Sequence, residues 1–283
     1  MAMKFLSTRM LVIDSIVNNF FISIKILFDL FFIVYPYNAY MNPSILKVKV
    51  WRGTDDGEFV EYDVPRAANQ TVLDVVTYIQ RKIDPTLSYR FACRVGMCGS
   101  CAMTVNGKAR WTCRTHVAKI AYQNTLEIAP LDNLPIIKDL ATDMREFFDK
   151  MSKAVGYFKG DKTRFDDFAQ VKPDSEERQL ANAGIECIGC GVCYASCEVV
   201  STRESYLGPA ALNRAWTLVN DERDTQQLDR LRAVAGDAGC HSCHTQGTCS
   251  ERCPKKIEPT AGIAGLKKMV GRAAVRGSKW GKL

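Results

Sequence analysis

From residue 45 onward the apolar residues follow two successive rhythms. Residues 45–51 and 58–64 alternate apolar and polar side chains, with Gly53 and Gly57 between them, and this predicts a pair of strands. The period then changes. Val72, Val75, Val76, Ile79 and Ile83 form one stripe at helical spacing, Thr71 stands where it can cap that helix with Asp74 three residues on, and Pro85 ends it. Residues 102–105 and 109–113 flank Asn106-Gly107, a strong signal for a tight hairpin turn, and 125–129 reads as a last strand. Strands gathered around one helix predict a small α+β domain, which we bound at 41–135. Pro130 to Pro135 forms a hinge, after which strand alternation stops. Residues 140–158, 175–183, 209–219, 224–234 and 259–274 read as helices, with Pro209 and Pro259 in first-turn positions. The second domain, 136–283, is therefore expected to be all helix.

Residues 1–40 do not fit either rhythm. Residues 16–37 are strongly apolar but interrupted by Lys25 and Asp29, so a spanning helix is disfavoured. Asp14, Asn18, Lys25 and Asp29 fall on one side at helical spacing, which suits an amphipathic helix on a membrane surface. The abrupt change in composition equally suits translated upstream sequence, with Met41 as the true start.

Bulk composition adds little. At 47% hydrophobic and 24% charged the chain is ordinary for a globular protein, and a net charge of +7 over 283 residues, without a nucleic-acid motif, gives no reason to expect nucleic acid as a partner. The 12 cysteines change the picture. A disulfide framework belongs to small secreted chains that cannot build a core, and this chain is long enough to build one. Most of its cysteines stand two or three residues apart in runs, as metal ligands do.

Cys93, Cys98 and Cys101 are spaced C-x4-C-x2-C, and Cys113 follows at the end of the hairpin. This is the plant-type 2Fe–2S pattern, in contrast to zinc sites built from two C-x2-C pairs. Gly96, Gly99 and Ser100 free the loop to turn amides toward sulfur, and Arg94 adds positive charge. Cys187, Cys190, Cys193 and Cys197 read C-x2-C-x2-C-x3-C, the bacterial ferredoxin run, whose fourth cysteine serves the other cluster of a pair. The partner run is Cys243, Cys249 and Cys253 followed by Pro254, with Gln246 where a second cysteine should stand. Crossing the fourth cysteines predicts a 4Fe–4S set of Cys187, Cys190, Cys193 and Cys253. It leaves only Cys197, Cys243 and Cys249 for the other cluster, hence a 3Fe–4S cluster of raised potential. Cys240 is the unassigned thiol, read as a spare buried cysteine. The expected fold class is thus α+β, a plant-type ferredoxin (β-grasp) domain followed by an all-α, bacterial-ferredoxin-like two-cluster domain.

This arrangement resembles the iron–sulfur subunit of succinate dehydrogenase and fumarate reductase. The resemblance rests on Cys93-Arg94-Val95-Gly96-Met97-Cys98-Gly99-Ser100-Cys101, on Ile137-Lys138-Asp139-Leu140, on the run Cys187 to Cys197, on Gly208-Pro209-Ala210 and on Cys253-Pro254-Lys255. It implies electron transfer between a FAD-containing flavoprotein, which carries the dicarboxylate site, and a membrane quinone. It further implies membrane-anchor subunits, with the 2Fe–2S domain facing the flavoprotein and the helical domain facing the anchor. It places His244 and Lys267 at the quinone. The chain departs from many relatives after Cys197, where Glu198-Val199-Val200 replaces a proline and a nearby tryptophan. That departure keeps a second acceptor class open, a thiol or disulfide, and the rival from another class is a zinc-stabilised interaction module. Because the ligand thiols must stay reduced, the expected location is the cytoplasmic face of a bacterial inner membrane or the matrix side of the mitochondrial one. The basic residues Lys267, Lys268, Arg272, Arg276, Lys279 and Lys282 suit either an anionic membrane surface or a solvated helix end.

Overall fold

Strand β1 (Ile45–Arg52) pairs antiparallel with β2 (Glu58–Pro65), setting Val48 opposite Tyr62 and Val50 opposite Val60. Alternation along β1 buries Leu46, Val48 and Val50 completely, while Lys47 and Lys49 face outward beside Asp63 and Glu61. The computed structural model describes residues 44–275; the segment 1–40 and the basic residues Arg276, Lys279 and Lys282 lie outside them. On the other side of β1 lies β5 (Thr125–Ala129), parallel to it. Next come β3 (Ala102–Val105) and β4 (Lys108–Trp111), giving the order β2-β1-β5-β3-β4. Asn106 and Gly107 turn the β3–β4 hairpin at φ 49° and 68°, the positive values that a two-residue turn of this hand requires.

Helix α1 (Val72–Tyr78) lays Val72, Val75 and Val76 on the buried face of the sheet, which completes the expected β-grasp arrangement. Its start is the anticipated capping box: Asp74 N donates to Thr71 Oγ1 at 3.2 Å and Thr71 N donates to the Asp74 carboxylate at 3.0 Å. The apolar stripe fails at its far end. Ile79–Ile83 widens into a π turn, closed by Asp84 N donating to Ile79 O at 2.8 Å, and the wider turn rotates Ile83 off the stripe to 44% exposure. A one-turn helix, α2 (Val117–Ile120), precedes β5.

The region expected to be one helix over 140–158 is different. A hairpin of β6 (Ile136–Lys138) and β7 (Ala141–Thr142) comes first, and helix α3 covers only Arg145–Lys153. The cause is tertiary. Asp139 sits at φ 51° and is 1% exposed, and its carboxylate accepts from Gly53 N (2.8 Å), Ser88 N (2.8 Å) and Arg52 Nε (3.1 Å). Asp143 then accepts from Arg145 N at 2.9 Å to open α3, and Val155 at φ 52° closes it.

The remaining long helices fall within a few residues of expectation: α4 (Glu176–Ile185), capped by Ser175; α7 (Gly208–Val219); α8 (Gln227–Val234); and α10 (Pro259–Val275). Three one-turn helices lie within the cysteine runs, α5 (Val192–Ala195), α6 (Glu198–Thr202) and α9 (Thr248–Arg252). The buried pair Arg230–Asp224 is inaccessible on both sides, and Arg230 also donates to the carbonyls of Val155 and Tyr157, tying α8 to the end of α3. Where the two halves meet, the Asn133 amide donates to the carbonyl oxygens of Ala195 (3.0 Å), Tyr194 (3.3 Å) and Cys197 (3.4 Å).

Candidate metal centres

The loop from Cys93 to Cys101 leads into β3, and Cys113 lies in the single 3-10 turn that follows β4. Arg94, Gly96 and Gly99 all have positive φ (58°, 75° and 73°), which turns successive amides inward. Cys93 Sγ accepts from Met97 N (3.2 Å), Cys98 N (3.3 Å) and Val95 N (3.4 Å), and Cys98 Sγ accepts from Cys93 N (3.5 Å). The Cys93 amide, and then the Ser100 hydroxyl, pull the Cys98 thiol down to about 6. Cys101 and Cys113 pack with Leu73 under Tyr89 and Trp111, and burial pushes Cys113 up to about 12. Such a set of amide-solvated and buried thiols suits thiolates whose charge a metal offsets. The Arg94 guanidinium is held beside the Phe91 ring (5.1 Å) and Thr77 Oγ1 (3.3 Å).

Cys187, Cys190, Cys193 and Cys253 line one cavity of about 400 Å³ in the helical half, walled by Phe147, Ala210 and Ile257. Cys253 comes from the later run, so the chain brings together the four thiols that the crossed pattern groups. Burial pushes Cys187 up, Cys190 up to about 12 and Cys193 well above the ordinary thiol value; at Cys187 the Gly189 amide and the Arg214 charge oppose part of that push. Three of the clustered thiols, Cys187, Cys190 and Cys193, resist ionising and need a strongly positive occupant to hold them as thiolates.

A second cavity, about 340 Å³, is lined by Cys197, Cys243 and Cys249 together with Tyr206, His244 and Gln246. Thr245 N donates to Cys243 Sγ at 3.4 Å, and Cys249 Sγ lies 3.2 Å from Thr260 Oγ1. Burial, and then the three neighbouring thiols, push the Tyr206 phenol up. His244 is exposed and in the wall of this cavity. Lys267 is not among its lining residues; its Nζ donates to the Cys243 carbonyl at 2.6 Å. Cys240 is fully buried and does not line the cavity either. Among the described residues no group of three or more His, Cys, Asp or Glu converges as a single bound ion requires; the thiols of the helical half ring cavities.

Two contacts escaped the sequence reading. A Cβ built on Gly99 would lie 2.7 Å from the Cβ of Cys190, so the first loop rests directly on the second set. Helix α5, which carries Cys193, packs against α9, which carries Cys249, so the second and third sets lie side by side. The residue type at Gly99 was a signal of close approach, but nothing in the sequence named its neighbour.

Fold and thiol sets together define an iron–sulfur electron-transfer protein with a plant-type domain and a two-cluster domain. Residues 45–149 match the model of the 2Fe–2S iron–sulfur cluster binding domain and residues 184–257 that of the 4Fe–4S dicluster domain. The chain belongs to the family of iron–sulfur subunits of fumarate reductase and succinate dehydrogenase. It is 36% identical over 239 residues to the fumarate reductase iron–sulfur subunit of Haemophilus influenzae, covering 78% of this chain and 91% of that one. The same subunit of Mycobacterium tuberculosis is 33% identical over 210 residues, covering 74% and 84%. Among solved structures, a chain of the Mycobacterium smegmatis Sdh1 complex in the apo form superposes with a TM-score of 0.74 at 27% identity, covering 83% of this chain and 98% of that chain. The protein is accordingly an electron-transfer subunit of an oxidoreductase complex, and the domain matches replace the zinc-module reading with cluster-binding domains.

Proposed function

We propose that the chain carries electrons between a FAD-containing flavoprotein subunit and a membrane quinone through three clusters. The 2Fe–2S cluster is held by Cys93, Cys98, Cys101 and Cys113 in domain 41–135. Domain 136–283 holds the 4Fe–4S cluster on Cys187, Cys190, Cys193 and Cys253, and the 3Fe–4S cluster on Cys197, Cys243 and Cys249. The observation that carries this reading is the serial placement of the thiol sets, with Gly99 against Cys190 and the helix of Cys193 packed on that of Cys249. When bound, the clusters supply reversible one-electron transfer. The chain's own part is to fix their order and surroundings.

Val95 and Met97, 60% and 61% exposed on the first loop, present an apolar rim for the flavoprotein. At the other end His244 faces the acceptor from the wall of the three-thiol cavity, while Lys267 acts one step back by holding the Cys243 carbonyl. No helix among the described residues is long and apolar enough to cross a membrane. In this reading attachment runs through anchor subunits, on the cytoplasmic face of a bacterial membrane or the matrix side of the mitochondrial one.

Co-purification from native membranes, with iron and acid-labile sulfide analysis and EPR, tests the whole reading. Three distinct cluster signals and a flavin-bearing partner are expected; protein without acid-labile sulfide after anaerobic reconstitution would overturn it. For the acceptor, His244→Ala is expected to slow quinone turnover at unchanged cluster content. Unchanged quinone kinetics would remove His244 from the site, and reduction of a disulfide in place of a quinone would favour the thiol acceptor.

A further inference from the structure

The rim of the three-thiol cavity carries a charge that the ligand pattern does not require. Glu198 follows Cys197 directly and opens α6, and its Oε2 accepts a hydrogen bond from Gln246 Nε2 at 2.6 Å. Gln246 lines the same cavity as Cys197, Cys243 and Cys249, at the place where the ferredoxin spacing puts a further thiolate. The hydrogen bond therefore holds a carboxylate against the one corner of the set that lacks a sulfur ligand. Its partner is a neutral amide, so the negative charge is fixed in place without being cancelled. Glu198 also borders a wider cleft of about 620 Å³, where Lys108, Asp132 and Arg252 stand on the walls.

We propose that Glu198, held by Gln246, is the positioning residue that lowers the reduction potential of the three-thiol centre. This rests on the three-iron reading given above. A fixed anion opposes the arrival of an electron at a nearby centre, and net charge and hydrogen bonding are among the terms that set a cluster's potential. One electron arrives from the four-thiol side and one leaves to the acceptor; Glu198 is neither oxidised nor reduced. Having one thiolate fewer than its neighbour raises this centre, and the carboxylate restores part of the missing negative charge. Because Glu198 is exposed, water and salt screen the effect, and the shift is moderate.

The test is an EPR-monitored redox titration of the cluster-loaded full chain purified with its native partners. Glu198→Gln keeps an acceptor for the Gln246 amide and removes the charge. It is expected to raise the three-iron midpoint by about tenfold in the reduction equilibrium, ~59 mV for one electron, with the other two centres unmoved. Glu198→Asp keeps the charge but shortens the reach to Gln246, and its midpoint is expected to stay below that of Glu198→Gln. Gln246→Leu releases the carboxylate and gives a smaller upward shift. An intact three-iron signal whose midpoint does not move in Glu198→Gln overturns this inference and leaves the three-iron reading standing. If that variant loses the signal, the Gln246→Leu titration decides, and an unmoved midpoint there overturns the inference. Absence of a three-iron signal from the unmodified protein removes the underlying reading, and this one with it.

Discussion

Gly99 and Cys190 touch backbone to side chain across the two halves of the molecule: a Cβ on Gly99 would lie 2.7 Å from Cys190 Cβ and 2.8 Å from its Cα. Gly99 also has φ 73°, a conformation costly for any residue with a Cβ. The contact is the point where the first thiol loop meets the second set, and it requires a residue without a side chain for two separate reasons.

Gly99→Ala is therefore expected to destabilise the protein by about 1–3 kcal/mol and to push the first loop away from Cys190. Thermal unfolding at a fixed scan rate reads the first effect. Rapid-freeze EPR reads the second, as slower passage of electrons from the 2Fe–2S to the 4Fe–4S signal. A variant as stable and as fast as the original would show that the contact has no such role.

Gln246→Cys supplies a thiol at the place where the second run lacks one. The oxidised three-iron EPR signal is expected to disappear, a reduced four-iron signal to appear, and iron content to rise by about one atom per chain. Persistence of the three-iron signal would mean that Gln246 does not stand at the open corner.

Asp139 anchors the β6–β7 hairpin through Arg52 and two backbone amides while almost wholly buried. Asp139→Ala leaves the Gly53 and Ser88 amides without their acceptor, while Arg52 keeps Asp84 and Thr86, and a loss of about 2–4 kcal/mol is expected from the two unpaired amides. Asp139→Asn keeps the shape and part of the hydrogen bonding, and its loss is expected to be smaller. Denaturant midpoints of the two variants check the order.

Asp221 gives an acid-side prediction. Its hydrogen bond with Arg223 holds the carboxyl at about 2, below its ordinary 3.8, with Arg178 also nearby. The unfolded chain then binds more protons than the folded one as pH falls, so the stabilisation is full above the unfolded value and is lost toward pH 2. Asp221→Asn is expected to flatten this part of the acid limb. Thermal midpoints of both proteins between pH 6 and pH 3 check it, and parallel curves would count against it.

The parts of the fold that were legible in the sequence are those set by local periodicity. Alternation along 45–51 and 58–64 marked β1 and β2, Thr71 and Asp74 marked the start of α1, and Pro209 and Pro259 marked α7 and α10. Ligand spacing was legible for the same reason, and the thiols it grouped in the helical half line common cavities. What escaped depends on partners distant in the chain. The β6–β7 hairpin is too short to show a period, and it exists because Asp139 finds Arg52, Gly53 and Ser88. The π turn after α1 looks like ordinary helix in sequence, yet it turns Ile83 outward. The one-turn helices α5, α6 and α9 are shorter than any periodicity can register. Lys267 matched by position, but only the fold shows that its ammonium is spent on the Cys243 carbonyl.

The Asn133 amide grips the carbonyls of Tyr194, Ala195 and Cys197, the turn that carries one ligand of the third set and adjoins one of the second. The connecting segment is thus a clamp, and the two halves of residues 45–275 cannot part at this junction without breaking those hydrogen bonds. In the proposed reading, the spacing of the clusters then does not depend on a hinge here. Under that reading, control over when current flows falls to the proposed partner subunits, through what they deliver and what they remove.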